Sequence, residues 1–516
     1  MYQEVISGIV CGVTGQLIHV EVEIRNGLPY FSMVGYLSRE SMEAKERVAS
    51  ALRSIGHPLP SMKITVNLSP ANIRKSGTAF DFPIAAAFLG CLGLIPADRL
   101  RKICILGELG LNGRIRGVKN CLPIILKAQE YGIDQFFVAE EDRNSLESME
   151  GIEVIFMNRL QDVLDYFHGS YHGKQEPSGQ EFQWEAEEGD FADLKGMEHL
   201  KRAIEIAVIG RHHLLIAGAP GSGKSMAVRR IPTILPQLSK NERLEVQSIY
   251  DAAEISRNLL DPRPPFRTPH STIPRAAFLG GGKIPKAGEI TLAHHGILFM
   301  DEFMEYRTEC IEGLRLPLEE KKLEISRMGL HMIFPSDFLL IAAMNPCPCG
   351  YALEDGQCRC SYHEKKRYLK KLSGPLLDRF DLIIGTIGVG EDGESLDFHK
   401  KICEDGLGTS DQIRSRIQRY TEEERDILSG SSWKYFSEIP SQHMESYCPM
   451  ENECINLLNT VYDMGKITRR GADKIRRVAM TIAVMDGKKI IAPVHLMEAM
   501  TFRNSNFIKE VLEYGG

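Results

Sequence analysis

The 516-residue sequence contains no apolar run long enough to cross a bilayer, which takes about 18 to 20 residues. The longest, from Ile84 to Pro96, is interrupted by glycine and reads as a buried helix. The N-terminus, MYQEVISGIV, lacks a basic stretch followed by an apolar one. No signal peptide is therefore expected, and the expected residence is cytoplasmic, with no membrane partner. In that compartment the twelve cysteines are expected as thiols or metal ligands, not disulfides. Net positive charge is also missing: 62 Lys and Arg against 69 Asp and Glu leave −7. That balance offers no global attraction to nucleic acid, so any such surface must be local. Internal repeats and low-complexity tracts are absent as well. What remains is a composition of 43% hydrophobic and 25% charged residues, typical of a soluble globular chain. Its length suggests roughly three domains.

Three bodies are expected. Residues 1–168 mix strands and helices: GQLIHVEVEIRNG alternates apolar and polar residues up to a turn at Asn26-Gly27. SRESMEAKERVASALRSIG has helical spacing behind a capping Ser38, and KITVNL and KICILGEL read as short buried strands. Residues 169–190 are polar and acidic, a linker holding Trp184, which either docks on a neighbour or stays exposed. Residues 191–390 alternate strand and helix, with HHLLIAG, GILFMDEF and FLLIAAMN as runs of the kind a parallel sheet buries on both faces. Residues 391–516 are mostly helical in pattern.

The chemistry begins at Gly218-Ala219-Pro220-Gly221-Ser222-Gly223-Lys224-Ser225, a full G-x-x-x-x-G-K-[ST] between a strand and a helix. Its glycines let backbone N–H groups close around phosphate oxygens at a helix N-terminus. Lys224 is expected to reach the β and γ phosphates of ATP, and the Ser225 hydroxyl to ligate Mg2+. The run Ile297–Met300 ends in Asp301 and Glu302. Asp301 can hold Mg2+ through water, and Glu302 can act as general base toward the attacking water. Asn345, at the end of FLLIAAMN, can orient that water. Arg379 in LSGPLLDRFD is a candidate arginine finger for a neighbouring subunit; the alternative is a salt bridge to Asp378 or Asp381.

Four cysteines fall within 14 residues: Cys347, Cys349, Cys358 and Cys360. Two pairs joined by an eight-residue loop can give tetrahedral Zn2+ its four thiolates, although C-x-C is tighter than the usual C-x-x-C. His363 is a spare ligand candidate, and four reduced thiols are the alternative.

FRTPHST, GGGKIPKAGEITLAHHGILFMDE, LEISR, NPCPCG and LSGPLLDRFD together resemble the magnesium-chelatase-like AAA+ family, in its YifB/ComM branch, over almost the whole chain. The resemblance implies an α/β fold: an AAA+ P-loop core with a parallel sheet and a helical lid, preceded by a Lon-protease-like α+β domain. It implies a hexameric ring whose pore is lined by a hairpin, matched by Leu323–Pro335, and by a helix-2 insert, matched by 263–289. It makes Arg470, with Arg469 beside it, the counterpart of the family's sensor-2 arginine. In the Lon-like domain the serine nucleophile position falls on Ala79 and the lysine on Ile124, so peptidase activity is not expected.

Basic residues cluster where the family has pore elements. Residues 263–288 carry Arg263, Arg267, Arg275, Lys283 and Lys286 with no acid among them. The hairpin adds Lys321, Lys322, Arg327 and His331, and the segment after the cysteines adds Lys365, Lys366 and Arg367. Such a surface would track DNA phosphates with little sequence preference and with strong salt dependence. The expected activity is therefore an ATP-driven DNA motor, like ComM in branch migration during recombination and transformation, with recombination or competence proteins as further partners. The alternatives are a chelatase-like protein-remodelling ATPase and a nucleotide-dependent switch.

Overall fold

A computed structural model describes residues 1–75, 77–147, 149–173, 189–195, 197–282, 285–327, 330–352, 357–386, 408–465, 467–503 and 511. Trp184, Lys283, most of the expected linker and the expected boundary at 390 lie outside the described residues, as does the side chain of Arg327.

Nine strands belong to the N-terminal body: β1 (Tyr2–Cys11), β2 (Thr14–Arg25), β3 (Tyr30–Val34), β4 (Lys63–Ser69), β5 (Ile103–Ile105), β6 (Glu108–Leu109), β7 (Ile115–Arg116), β8 (Gln135–Ala139) and β9 (Glu153–Met157). Seven form one mixed sheet in the order β3-β4-β2-β1-β5-β8-β9. The alternation seen in GQLIHVEVEIR is the alternation of β2, with Ile18, Val20, Val22 and Ile24 buried and the residues between them more exposed. The apolar run at 84 becomes the helix Asp81–Cys91, buried on nearly every side. A second helix, Cys121–Glu130, lies so close to the sheet that a Cβ on Gly8 would stand 2.3 Å from Ile124 Cγ2. Ile124 is thus pressed into the sheet, and Ala79 is buried too. Neither an alkyl group nor a methyl can carry the proton transfer of a serine–lysine dyad.

The core sheet has five parallel strands, β10 (Leu214–Gly218), β11 (Phe266–Arg267), β12 (Ile297–Met300), β15 (Leu339–Met344) and β16 (Leu382–Thr386), in the order β11-β12-β15-β10-β16. The intervening β13 (Lys322–Arg327) and β14 (Leu330–Pro335) form an antiparallel hairpin, where the family resemblance implies one. Both faces of the sheet are covered, so its strands are continuously apolar. Leu214, Ile216, Phe299 and Ile341 face a cluster completed by the C-terminal helices, including Arg469–Met485 and Pro493–Thr501. Leu215, Ala217, Met300 and Met344 face the opposite cluster, with Phe303, Tyr306 and Cys347. The span 263–289 differs from its expected role as insert alone, because its Phe266 and Arg267 pair with Ile297 and Leu298 as an edge strand of the core.

The N-terminal body docks on the helix Lys240–Ala252. The Leu122 N–H donates to Asp251 Oδ2 at 3.2 Å, and Lys119 pairs with Glu254 at 3.1 Å. Its β1–β2 turn also reaches the hairpin: Val13 shares a buried cluster with Met332 and Phe334 of β14. Among the described residues no helix is long and apolar enough to cross a membrane.

Candidate nucleotide site

β10 runs directly into Gly218–Ser225, and the helix Lys224–Arg229 follows. Gly223 caps that helix with φ +79°, a conformation that strains any other residue, and a Cβ there would have to displace Met197 Cε, 2.0 Å away. The first N–H groups of this helix have no carbonyl partner four residues back, as at any helix start, and they open onto the loop. Lys224 is buried, and its Nζ donates to Gly218 O at 2.7 Å, Ala219 O at 2.6 Å and Ser222 Oγ at 3.2 Å. Burial lowers its pKa, and Asp301 partly opposes that. A loop of backbone donors around an ammonium is a donor set for polyphosphate, so the residues present fit ATP.

Register brings the other groups to the same edge. In β15 Met344 pairs with Ala217, so Asn345, one step on, stands level with Gly218. In β12 Met300 pairs with Ala342, which sets Asp301 and Glu302 within two residues of that level on the other side of β15. Glu302 is exposed and adopts the left-handed conformation, φ +50° and ψ +47°, while its N–H donates to Asp301 Oδ1 at 3.0 Å. Strain of this kind at a non-glycine residue is typical of functional sites. Ser225 and Asp301 are the residues that would hold Mg2+, which would supply neutralisation of phosphate charge.

Arg379 and Arg470 are not at this edge. Both line a cavity of about 720 Å³ with His213, Asp337 and Asp381, which stand at the beginnings of β10, β15 and β16. The five residues of β10 separate that edge from the phosphate loop by roughly 16 Å. Arg470 is exposed and lines the cavity, whereas Arg469 does not. Neither salt bridge weighed for Arg379 forms. Its guanidinium pairs with Glu319, Nη2 to Oε2 at 2.7 Å, while Asp381 accepts from Lys474 Nζ at 2.7 Å and from the His213 N–H at 3.0 Å.

The basic residues separate once folded. Arg275, Lys286, Lys366 and Arg367 are exposed. Lys365 is corrected: at 2% exposure its place on the helix Tyr362–Leu369 turns it inward, away from any phosphate backbone. Arg267 is corrected likewise, because it makes a bidentate pair with Glu289, at 2.7 and 2.8 Å, that consumes its fork. In the hairpin Lys322 pairs with Glu324 at 2.7 Å, and Lys321 pairs with Asp337 and Glu438.

Sequence reasoning missed Glu245. Its Oε2 meets His295 Nε2 at 2.7 Å and His294 Nε2 at 3.2 Å, just before β12. The group has the makings of a metal site. His294 Nδ1, however, accepts the Asp337 N–H at 3.0 Å, which leaves the proton on Nε2, so that nitrogen donates to Glu245 and cannot ligate. The trio is a hydrogen-bonded lock between the helix Lys240–Ala252 and the core strands. The one signal for it was the pair His294-His295 ahead of an apolar strand.

The four cysteines come together. Cys347 Sγ lies 3.3 Å from Cys349 Sγ and 3.8 Å from Cys358 Sγ, and Cys349 lies 3.8 Å from Cys358. All four sulfurs fall within 4.8 Å of one another, and His363 is not among them. Burial pushes the Cys347 thiol up to about 12. Burial acts the same way on Cys349, but N–H groups of Tyr351 and Arg359 donating to its sulfur bring it down to about 6.

A five-stranded parallel sheet with a phosphate-loop motif after the interior strand β10, an acid pair after β12 and an asparagine after β15 between them defines an AAA+ ATPase. Comparison with known proteins agrees. The family models described as magnesium chelatase subunit ChlI, subunit ChlI of Mg-chelatase and ChlI C-terminal match residues 190–392, 20–142 and 408–503. The chain is 34% identical over 508 residues to competence protein ComM of Haemophilus influenzae, covering 95% of each chain. It is 34% identical over 498 residues to YifB of Escherichia coli, again covering 95% of each. A more distant match, 22% over 291 residues, is the DNA replication licensing factor Mcm2 of Drosophila melanogaster, covering 54% of this chain and 28% of that one. The chain belongs to the magnesium-chelatase-like AAA+ family, in the branch of ComM and YifB.

Proposed function

We propose that this chain is the subunit of a homo-hexameric motor that couples ATP hydrolysis to movement along DNA, with ComM-like branch migration in recombination and natural transformation as its task. The observation that carries the reading is the division of the catalytic groups between two edges of one sheet. Lys224, Asp301, Glu302 and Asn345 share the phosphate-loop edge, and Arg379 and Arg470 share the cavity at the opposite one. One copy therefore holds two halves of different sites, and a second copy completes each. In the assembled site Glu302 takes the proton of the attacking water, Asn345 holds that water in line, and Arg379 and Arg470 from the adjacent copy meet the charge developing on the γ-phosphate.

DNA as the track is supported by the exposed Arg275, Lys286, Lys366 and Arg367, and by the likeness to the DNA replication licensing factor Mcm2. The N-terminal body, buried and apolar at Ala79 and Ile124, serves as a collar gripping the hairpin base and not as a peptidase. Zn2+ in the cysteine cluster completes the cofactor set with ATP and Mg2+. The second reading, a protein-remodelling ATPase, draws on the chelatase subunit that all three family models describe. ATPase rates without DNA, with single strands, with duplex and with a mobile four-way junction, at two salt concentrations, separate them. Salt-sensitive stimulation by strands or junctions is the expected result. Active hydrolysis indifferent to every DNA would replace the DNA reading with the protein-remodelling one.

A further inference from the structure

The cysteine cluster touches the nucleotide site. Cys347 follows Asn345 by two residues and is fully buried in the same cluster as Ala217 and Met344, the residues that lead into the phosphate loop and the sensor asparagine. Between the two cysteine pairs the chain turns at Gly350, φ +90°, where a Cβ would stand 2.4 Å from Pro220 Cδ. Pro220 belongs to the phosphate loop itself, so the outer wall of that loop is the backbone of the cysteine turn.

The sulfurs have the arrangement of a ligand set. A tetrahedron of thiolates around Zn2+ at about 2.3 Å has edges of about 3.8 Å. The separations here are 3.3, 3.8 and 3.8 Å, far beyond a disulfide bond and close to that edge. Cys360 belongs to the same group, since all four sulfurs lie within 4.8 Å of one another.

We propose that Cys347, Cys349, Cys358 and Cys360 hold one Zn2+ that braces the phosphate loop from outside, through Gly350 against Pro220, so that nucleotide affinity depends on the metal. The role rests on the ATP reading of the loop; the metal site does not. Binding releases the thiol protons to solvent and involves no redox change. With the ion in place the turn is fixed at both ends, and Pro220 cannot swing outward. Without it, the turn is held only by packing, and the loop samples shapes in which its N–H groups no longer converge.

The test uses the full chain. Metal analysis of purified protein should give about one Zn2+ per chain, released when an organomercurial blocks the thiols. Cys358→Ser and Cys360→Ser should lose the metal and weaken binding of a fluorescent ADP analogue at least about tenfold. Zn2+ stripped from the wild type by a chelator should have the same effect, reversed by adding zinc, which covers the case of a variant that does not fold. Gly350→Ala should keep the metal yet weaken the nucleotide, since it alters the contact and not the ligands. Less than about 0.2 equivalents of zinc ends the metal site. A full equivalent with unchanged ADP affinity after stripping ends the brace. Lys224→Ala should lose nucleotide and retain zinc, so a wild type that binds zinc but no nucleotide would fault the ATP reading and leave the site standing.

Discussion

Arg379 Nη2 and Glu319 Oε2 are 2.7 Å apart, and this pair ties the candidate finger to the helix Arg315–Glu320 that leads into the β13–β14 hairpin. Glu319 is half exposed while the Arg379 side chain is 16% exposed, so the acid can leave toward solvent when a stronger anion arrives. A nucleotide on a neighbouring copy would supply such an anion, and the exchange of partners would reach Lys322, the first residue of the hairpin, three residues on.

If the finger acts across an interface, subunits with complementary defects should rescue each other. Arg379→Ala alone should lower kcat by about 10³ and leave ADP affinity within a few-fold. Glu302→Gln alone should be equally inactive. In an equal mixture about a quarter of interfaces pair an intact Glu302 with an intact Arg379, and that share of wild-type ATPase should return. A mixture as inactive as its parts would place the finger in its own subunit's site.

Glu302→Gln keeps the shape and removes the base. ATP should bind and persist, with hydrolysis reduced by about 10² to 10⁴. A quench-flow time course that finds ATP turned over at the wild-type rate would reassign the base.

The exposed and the paired cations should behave differently. Lys366→Ala and Arg367→Ala should each weaken DNA binding across sequences and shrink the salt slope by about one. Arg267→Ala should leave that slope alone and instead lower thermal stability, because it strands Glu289 without its bidentate partner. Salt titrations of DNA binding, with a melting curve for each variant, decide this.

His212 and His213 make the core acid-sensitive. Burial holds each near a pKa of about 4 against the nearby Asp381, so both are neutral in the fold. A histidine whose folded pKa is depressed contributes its stability above the unfolded value near 6.5 and loses it as pH falls toward the folded value. Full displacement of one such group amounts to on the order of 3 kcal/mol. The melting temperature should therefore fall between pH 6.5 and 4, and His212→Gln, which can still meet Thr481, should flatten that fall. An unchanged profile in the variant would remove His212 as the cause.

The placement of the phosphate-loop motif, Asp301, Glu302 and Asn345 at one sheet edge was legible in the sequence because each is positioned by its own few residues of backbone. Glycines at set spacing, an apolar run and a terminal acid carry their geometry with them. The hairpin was placed by the family resemblance, over Leu323–Pro335, and forms as Lys322–Arg327 paired with Leu330–Pro335. The cysteine cluster was half legible: spacing allowed convergence, and only the fold set the four sulfurs within 4.8 Å of one another against the phosphate loop.

The rest depended on residues far apart in the chain. Composition alone marked Lys365 and Arg267 as free cations, but helix rotation buried one and Glu289, 22 residues away, claimed the other. Glu319 and Glu245 carried no motif, since their roles exist only where Arg379 and the histidine pair arrive from other elements. Which edge of the sheet Arg470 joins was likewise decided by the packing of the C-terminal helices. Local chemistry is written in neighbours along the chain and so could be read from it; charge pairing and burial are set by neighbours in space, and those were assigned only when the chain folded.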